Sequence, residues 1–178
     1  KKKLTYNDIG FNIGPLINSS GRIAKANDVV ELFLSQNDDK IEKIIYKMNN
    51  HNITRKKIEQ ENLELIDFKK YYSKNVIFIY NNKFHEGIIG ILATKLSKIF
   101  NKPSFIMTES HDLLKCSIRS GNNIKINKTI NKLKANKLII SGGGHDEAGG
   151  FTAKKAYLFE IEDFLNNEYK TLKTKNYA

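Results

Sequence analysis

Apolar residues recur at spacings near three and four through Ile41, Ile44, Ile45, Met48, Ile53, Ile58, Leu63, Leu65, Ile66 and Phe68, with charged residues between them and no proline from Asp38 to Tyr72. That period marks an amphipathic helix, and Asn37-Asp38-Asp39 supplies its N-cap. About 30 residues at 1.5 Å each span roughly 45 Å, longer than a small domain needs internally. The pattern therefore predicts a helix that connects two domains. Ahead of it, Val29, Val30, Leu32, Phe33 and Leu34 predict a mostly buried helix starting near Ala26-Asn27-Asp28. The segment from Asp8 to Arg22 is rich in Gly, Asn, Ser and Pro and reads as loop.

Beyond Tyr72 the pattern changes. Val76-Ile-Phe-Ile-Tyr80 is a continuous apolar run that predicts a fully buried strand, followed by a helix from Gly87 to about Phe100. Strands are expected at Ser104–Thr108, Leu113–Ser120, Leu138–Ile140 and Gly149–Ala153. A short amphipathic helix is expected at Asn127–Leu133 and a last helix from Tyr157 to about Lys173. Strands alternating with helices predict an α/β fold in which helices cover a mixed sheet. No internal repeat or low-complexity linker interrupts it.

At 178 residues the chain holds one ordinary domain, or one domain and a piece of another. No window of about 18 apolar residues and no basic-then-apolar leader occurs, so neither a membrane span nor a signal peptide is expected, and the reading is soluble and cytoplasmic. The single cysteine, Cys116, makes neither an internal disulfide nor a thiolate metal cluster; it fits a reducing compartment and a place in the core. Thirty Lys and Arg against nineteen Asp and Glu give +11, which suits a polyanionic partner. Lysine is used heavily throughout, however, so charge alone leaves nucleic-acid contact open.

Four stretches carry candidate chemistry. In Ser141-Gly-Gly-Gly-His145 the glycines allow backbone N–H groups to approach an anion and put one histidine on display, unless they only make a tight turn. In Ser117-Ile-Arg119-Ser120 the strand period places Ser117 and Arg119 on one face, a hydroxyl beside a guanidinium that suits phosphate oxygens; a solvated or carboxylate-paired arginine is the plainer reading. His85-Glu-Gly87-Ile-Ile-Gly90 opens a helix whose N-terminal N–H groups suit an anion, with His85 either contacting a substrate or capping the helix. Asn18-Ser-Ser-Gly21-Arg22 offers a further phosphate contact or a simple turn. His51 and His111 read as surface residues. No Asp and His cluster has metal-ligand character, and no nucleophile has a placed base.

Taken in order, Asp8-Ile-Gly-Phe-x-Ile-Gly-Pro-x-Ile-Asn-x-x-Gly-Arg22, His85-Glu-Gly-Ile-Ile-Gly-Ile-x-Ala93, Ser117-x-Arg-Ser120 and Gly143-Gly-His-x-x-Ala-x-Gly-Phe151 resemble the RecJ family over nearly the whole chain. These are single-strand-specific 5′ to 3′ DNA exonucleases of the DHH phosphoesterase superfamily. The resemblance implies that residues 1–36 are the end of a DHH domain, 37–73 the interdomain helix and 74–178 a DHHA1 substrate-binding domain. It implies Mn2+ or Mg2+ held by the remainder of a DHH domain outside this sequence, none by this chain. It also implies single-stranded DNA as substrate and a single-strand-binding protein as a candidate partner. By the same resemblance, His145 reaches the scissile phosphate as a catalytic stabiliser, Arg22, Ser117, Arg119 and Ser120 grip phosphate, Gly143 and Gly144 form the cradle, and His85 is a weaker contact. Leu16, Phe84, Lys95 and Gly149 depart from the family pattern, where arginine, tryptophan, arginine and alanine are usual. Related readings are a phosphodiesterase for oligonucleotides or cyclic dinucleotides, or a nucleic-acid-binding module without catalysis.

Overall fold

Thr5 and Asp8 cap each other at the start of the first helical segment. Asp8 Oδ2 accepts the Thr5 N–H at 2.9 Å and its hydroxyl at 2.7 Å, and Thr5 Oγ1 accepts the Asp8 N–H at 3.2 Å. These bonds to Thr5 hold the Asp8 carboxyl below its usual range. The structure, a computed structural model, describes residues 3, 5–24 and 27–172. From Asp8 the chain makes a π-helical turn, Asp8–Ile13, and continues as α1, Gly14–Ile23. The predicted loop is thus helical: the reciprocal cap starts it, and Pro15 stands where the π-helical turn passes into α1.

The chain divides into two units, Lys1–Glu61 and Asn62–Ala178. In the first, α2 (Asn27–Leu34) reverses the burial expected of it. Val30, Phe33 and Leu34 are 58, 72 and 76 % exposed, whereas Asp28 is buried. The inward face is chosen by a polar contact: Asp28 Oδ1 accepts from Lys47 Nζ at 2.8 Å, and His51 Nδ1 stands 4.0 Å from Oδ2. His51 is therefore partly buried and faces Asp28, rather than being a surface residue. Both residues lie on or against α3 (Asp38–Glu64), whose 27 residues span about 40 Å. Asn37 caps it as expected, its Oδ1 accepting the Lys40 N–H at 2.9 Å. The boundary between the units falls within α3.

The second unit is a five-stranded mixed sheet of order β1-β2-β3-β5-β4. Its strands are β1 (Ile77–Tyr80), β2 (Ser104–Ser110), β3 (Leu113–Arg119), β4 (Ser141–Gly144) and β5 (Ala148–Lys154). β1 runs parallel to β2 and the other pairs are antiparallel. α4 (Ile89–Phe100) crosses from β1 to β2 and packs on β2 and β3. α5 (Ile126–Ala135) and α6 (Leu158–Glu168) cover the opposite face, where Phe105, Leu114, Ile118, Ile130, Phe151 and Leu165 form the core. Cys116 is buried there, and burial pushes its thiol well up. β1 alternates between buried and half-buried residues, as befits an edge strand.

One strand lies elsewhere than expected. Leu138–Ile140 is not a strand; β4 is the glycine run itself. Its backbone lies so close to β5 that a Cβ on Gly142 would come 2.8 Å from the Phe151 Cβ, and one on Gly144 would come 2.3 Å from the Ala148 carbonyl oxygen. Low strand propensity is overridden because little but bare backbone fits there.

Candidate nucleic-acid interface

Strand register builds the floor of the site. Ala148 lies opposite Arg119 and Gly150 opposite Ser117, while Gly143 lies opposite Gly150. His145 extends the pairing one step, its N–H donating to the Ala148 carbonyl at 2.9 Å. Directly opposed residues face the same side of a sheet. Arg119, Ala148 and His145 therefore make one row, and Ser117, Gly150 and Gly143 the next. With strands about 4.8 Å apart, the Arg119 and His145 backbones stand about 10 Å from each other, a width that suits a phosphate group between two side chains. This is the face that carries α4.

Gly143 differs from its neighbours. A Cβ there would meet nothing within 4 Å, whereas one on Gly149 would come 2.6 Å from Ile130 Cδ1. Packing demands the other glycines; Gly143 is bare on the open side, where a ligand can come down onto backbone.

A cleft of about 590 Å³ lies over the first row, with Lys98 of α4 and its C-cap Asn101 on one wall and the Ser120–Lys125 loop on another. The loop and the hairpin tip hold each other. The Ser120 N–H donates to the Glu147 carbonyl at 2.8 Å and the Ile126 N–H to the Asp146 carbonyl at 3.0 Å. Lys125 Nζ lies 3.2 Å from Asp146 Oδ2. The Ser120 hydroxyl donates to the Ile124 carbonyl at 2.7 Å, and the Asn122 N–H to Asn101 Oδ1 at 3.2 Å. Gly121 sits against the Lys102 backbone, where a Cβ would come within 2.3 Å. Lys102 is itself buried and donates to the Tyr71 and Tyr72 carbonyls at 3.1 and 2.7 Å. Such a frame fixes the site before a ligand arrives, which lowers the ordering cost of binding.

Arg119 is half-buried, with Nη1 donating to the Ile118 carbonyl at 2.8 Å; that bond orients the guanidinium and leaves its other N–H groups to donate elsewhere. The Glu147 N–H approaches His145 Nδ1 at 3.4 Å, so Nδ1 is the acceptor and the neutral ring carries its proton on Nε2. An arginine fork and an imidazole N–H on one side of a sheet can both donate to an oxyanion. Asp146 is engaged by Lys125, and Glu147 is the other acid lining the cleft.

The structure brings together Arg119, Ser120 and His145 in the cleft, with Ser117 and Gly143 in the adjoining row and Gly144 between Gly143 and His145. His85 does not join them. It follows β1 at the end of the sheet away from Arg119, exposed, with Nδ1 accepting the Gly87 N–H at 3.1 Å as a cap of the turn before α4. Arg22 belongs to the first unit, in the last turn of α1. Sequence reading missed Lys98, Asn101, Asn122 and Asn123. The signal for the first two was a polar stripe, Thr94, Ser97, Lys98 and Asn101, at helical spacing on a largely apolar helix. Among the described residues no group of three or more His, Cys, Asp or Glu is arranged to hold a metal ion, and no helix is long and apolar enough to cross a membrane.

The family profile for the DHHA1 domain matches residues 73–172, more than half of the chain, which therefore belongs to that family. Over 176 residues the chain is 24 % identical to the single-stranded-DNA-specific exonuclease RecJ of Haemophilus influenzae, covering 93 % of this chain and 30 % of that protein. Over 165 residues it is 28 % identical to the Escherichia coli protein of the same name, covering 86 % of this chain and 28 % of the relative. The crystal structure of RecJ with Mn2+ from Thermus thermophilus matches with a TM-score of 0.83 at 21 % identity, over 92 % of this chain and 24 % of that one. A structure of exonuclease RecJ bound to manganese matches with a TM-score of 0.79 at 22 % identity, over 92 % and 41 %. The mixed sheet flanked by helices is thus the RecJ arrangement of a DHHA1 domain, and the resemblance carried by the four motifs extends over most of the chain. The chain spans 20 to 30 % of the length of the curated relatives it matches.

Proposed function

We propose that this chain is the substrate-holding part of a single-stranded-DNA 5′ to 3′ exonuclease of DNA repair and recombination, in the cytoplasm, working with a metal-bearing DHH domain. One observation carries the reading: Arg119 and His145 stand in one row on the open face of the sheet, beside a glycine that no packing requires. In this reading the Arg119 fork grips a backbone phosphate and His145 donates Nε2–H to a phosphate oxygen at the reacting centre. Charge spreads over the non-bridging oxygens during phosphoryl transfer, so donors fixed beforehand stabilise the transition state. Ser120 shapes the loop, and Ser117, Gly143 and Gly144 form the cradle on which the strand lies. Arg22, on the first unit, is a further phosphate contact.

Among the described residues no group of three or more His, Cys, Asp or Glu is arranged to hold a metal ion, so this reading routes no metal chemistry through them. Manganese or magnesium belongs to the DHH domain, and a single-strand-binding protein is a candidate partner.

The test joins the chain to the DHH domain of a RecJ relative and follows a 5′-phosphorylated single strand with Mn2+. Manganese-dependent shortening is expected, falling at least 100-fold in His145→Ala. No shortening by the joined protein refutes the exonuclease reading, and a preference for dinucleotides over long strands turns it into a short-oligonucleotide phosphodiesterase. In the 178-residue chain, Arg119→Ala should weaken single-strand binding by about 1.5–3 kcal/mol, the range for a hydrogen bond to a charged group. Unchanged affinity in that variant removes Arg119 from the interface.

A further inference from the structure

We infer that Lys98 is a second phosphate contact, holding the phosphate next along the strand from the one at Arg119 and His145; the inference rests on the reading of that cleft as the strand-binding site. α4 turns Thr94, Ser97, Lys98 and Asn101 toward the cleft, one stripe at i, i+3, i+4 and i+7. Three of these four are occupied within the protein. Thr94 Oγ1 donates to the Gly90 carbonyl at 2.9 Å, Ser97 Oγ to the Thr94 carbonyl at 3.0 Å, and Asn101 Oδ1 accepts from Asn122. Lys98 is exposed and, among the described residues, its ammonium makes neither a hydrogen bond nor an ion pair. The cleft's other lysine, Lys125, faces the Asp146 carboxylate at 3.2 Å.

The cleft therefore holds two kinds of cation, Arg119 on the floor and Lys98 on the wall. A volume of about 590 Å³ exceeds what one phosphate fills and suits a nucleotide with its flanking phosphates. A compact ammonium on a flexible stem serves as a point charge for a backbone phosphate, whereas the guanidinium fork fixes orientation. Glu147 lies in the same cleft and repels phosphate, so the cations there have that charge to offset.

The test compares Lys98→Ala, Lys98→Arg and Arg119→Ala in the 178-residue chain, with two probes: a 5′-phosphorylated 12-nucleotide single strand and thymidine 5′-monophosphate. Lys98→Ala should weaken the 12-mer about 5- to 10-fold and flatten the log-affinity against log-salt slope by about 0.7, one phosphate's share for a single strand. It should leave the monophosphate unchanged, and Lys98→Arg should restore the 12-mer. Arg119→Ala should weaken both probes. Wild-type 12-mer affinity and slope in Lys98→Ala, with Arg119→Ala still impaired, overturns the role of Lys98 alone. Equal loss of both probes in Lys98→Ala puts the lysine on the first phosphate and also overturns it. Unchanged binding of both probes in Arg119→Ala refutes the reading of the cleft itself.

Discussion

Tyr169 places its hydroxyl in the core, 2.6 Å from Thr129 Oγ1 of α5. Burial pushes the phenol up to about 12, with the Glu168 charge adding to the shift and the Thr129 hydrogen bond opposing it. Because the folded state holds this proton more tightly than the unfolded chain, its contribution is complete below pH 10 and is lost as pH rises toward 12. The expected loss between pH 10 and 11 is about 1 kcal/mol, one pKa unit's worth. Urea melts at the two pH values should show that drop in the wild type and a smaller one in Tyr169→Phe; equal drops refute the assignment. The consequence reaches the site, since α5 also offers the Ile126 N–H that holds the hairpin tip at Asp146. A loosened α5 loosens the presentation of His145.

At the scale of elements, the β4–β5 hairpin separates glycines that the fold needs from one it does not. Gly144→Ala pushes a Cβ into the Ala148 carbonyl and should destabilise by about 1–3 kcal/mol, as overpacking does. Gly143→Val adds bulk only to the open face, so stability should stay within about 0.5 kcal/mol, while single-strand affinity falls at least 10-fold. Denaturant melts and anisotropy titrations on both variants separate the effects, and full affinity in Gly143→Val excludes the glycine floor as the strand's path. This hairpin also marks how far the sequence could be read. The alternation at Leu113–Arg119 and the cap at Asn37 rest on local chemistry, and both were legible. β4 was not, because glycine is chosen there by the closeness of Phe151 and Ala148, neighbours in space. The Asp8–Arg22 helix was hidden likewise: its Gly, Asn and Ser content argues for loop, and the Thr5–Asp8 pair that starts it lies at the segment's edge. His145 and Arg119 could be named from their motifs, but Lys98 acquires meaning only once α4 packs on the face that carries them.

For the molecule as a whole, the question is whether +11 acts as a diffuse cloud or through a few placed cations. Some of the lysine is paired with carboxylates on the surface: Lys40 with Glu31, Lys47 with Asp28, Lys132 with Glu168 and Lys155 with Glu109. Lys102 is buried and serves the fold. Within the second unit's cleft, by contrast, Arg119 and Lys98 are available beside His145. The two pictures give different salt dependences. Each phosphate neutralised on a single strand contributes about −0.7 to the slope of log affinity against log salt. Two or three placed contacts predict a slope of about −1.5 to −2, whereas engagement of the whole net charge predicts about −7 to −8. Titrating a 5′-phosphorylated 12-mer from 50 to 300 mM salt decides between them. The shallow slope is expected, and it should shrink further when Arg119 is replaced. A steep slope indifferent to Arg119 would mean that binding follows composition, and that the ordered cleft plays no part in holding the strand.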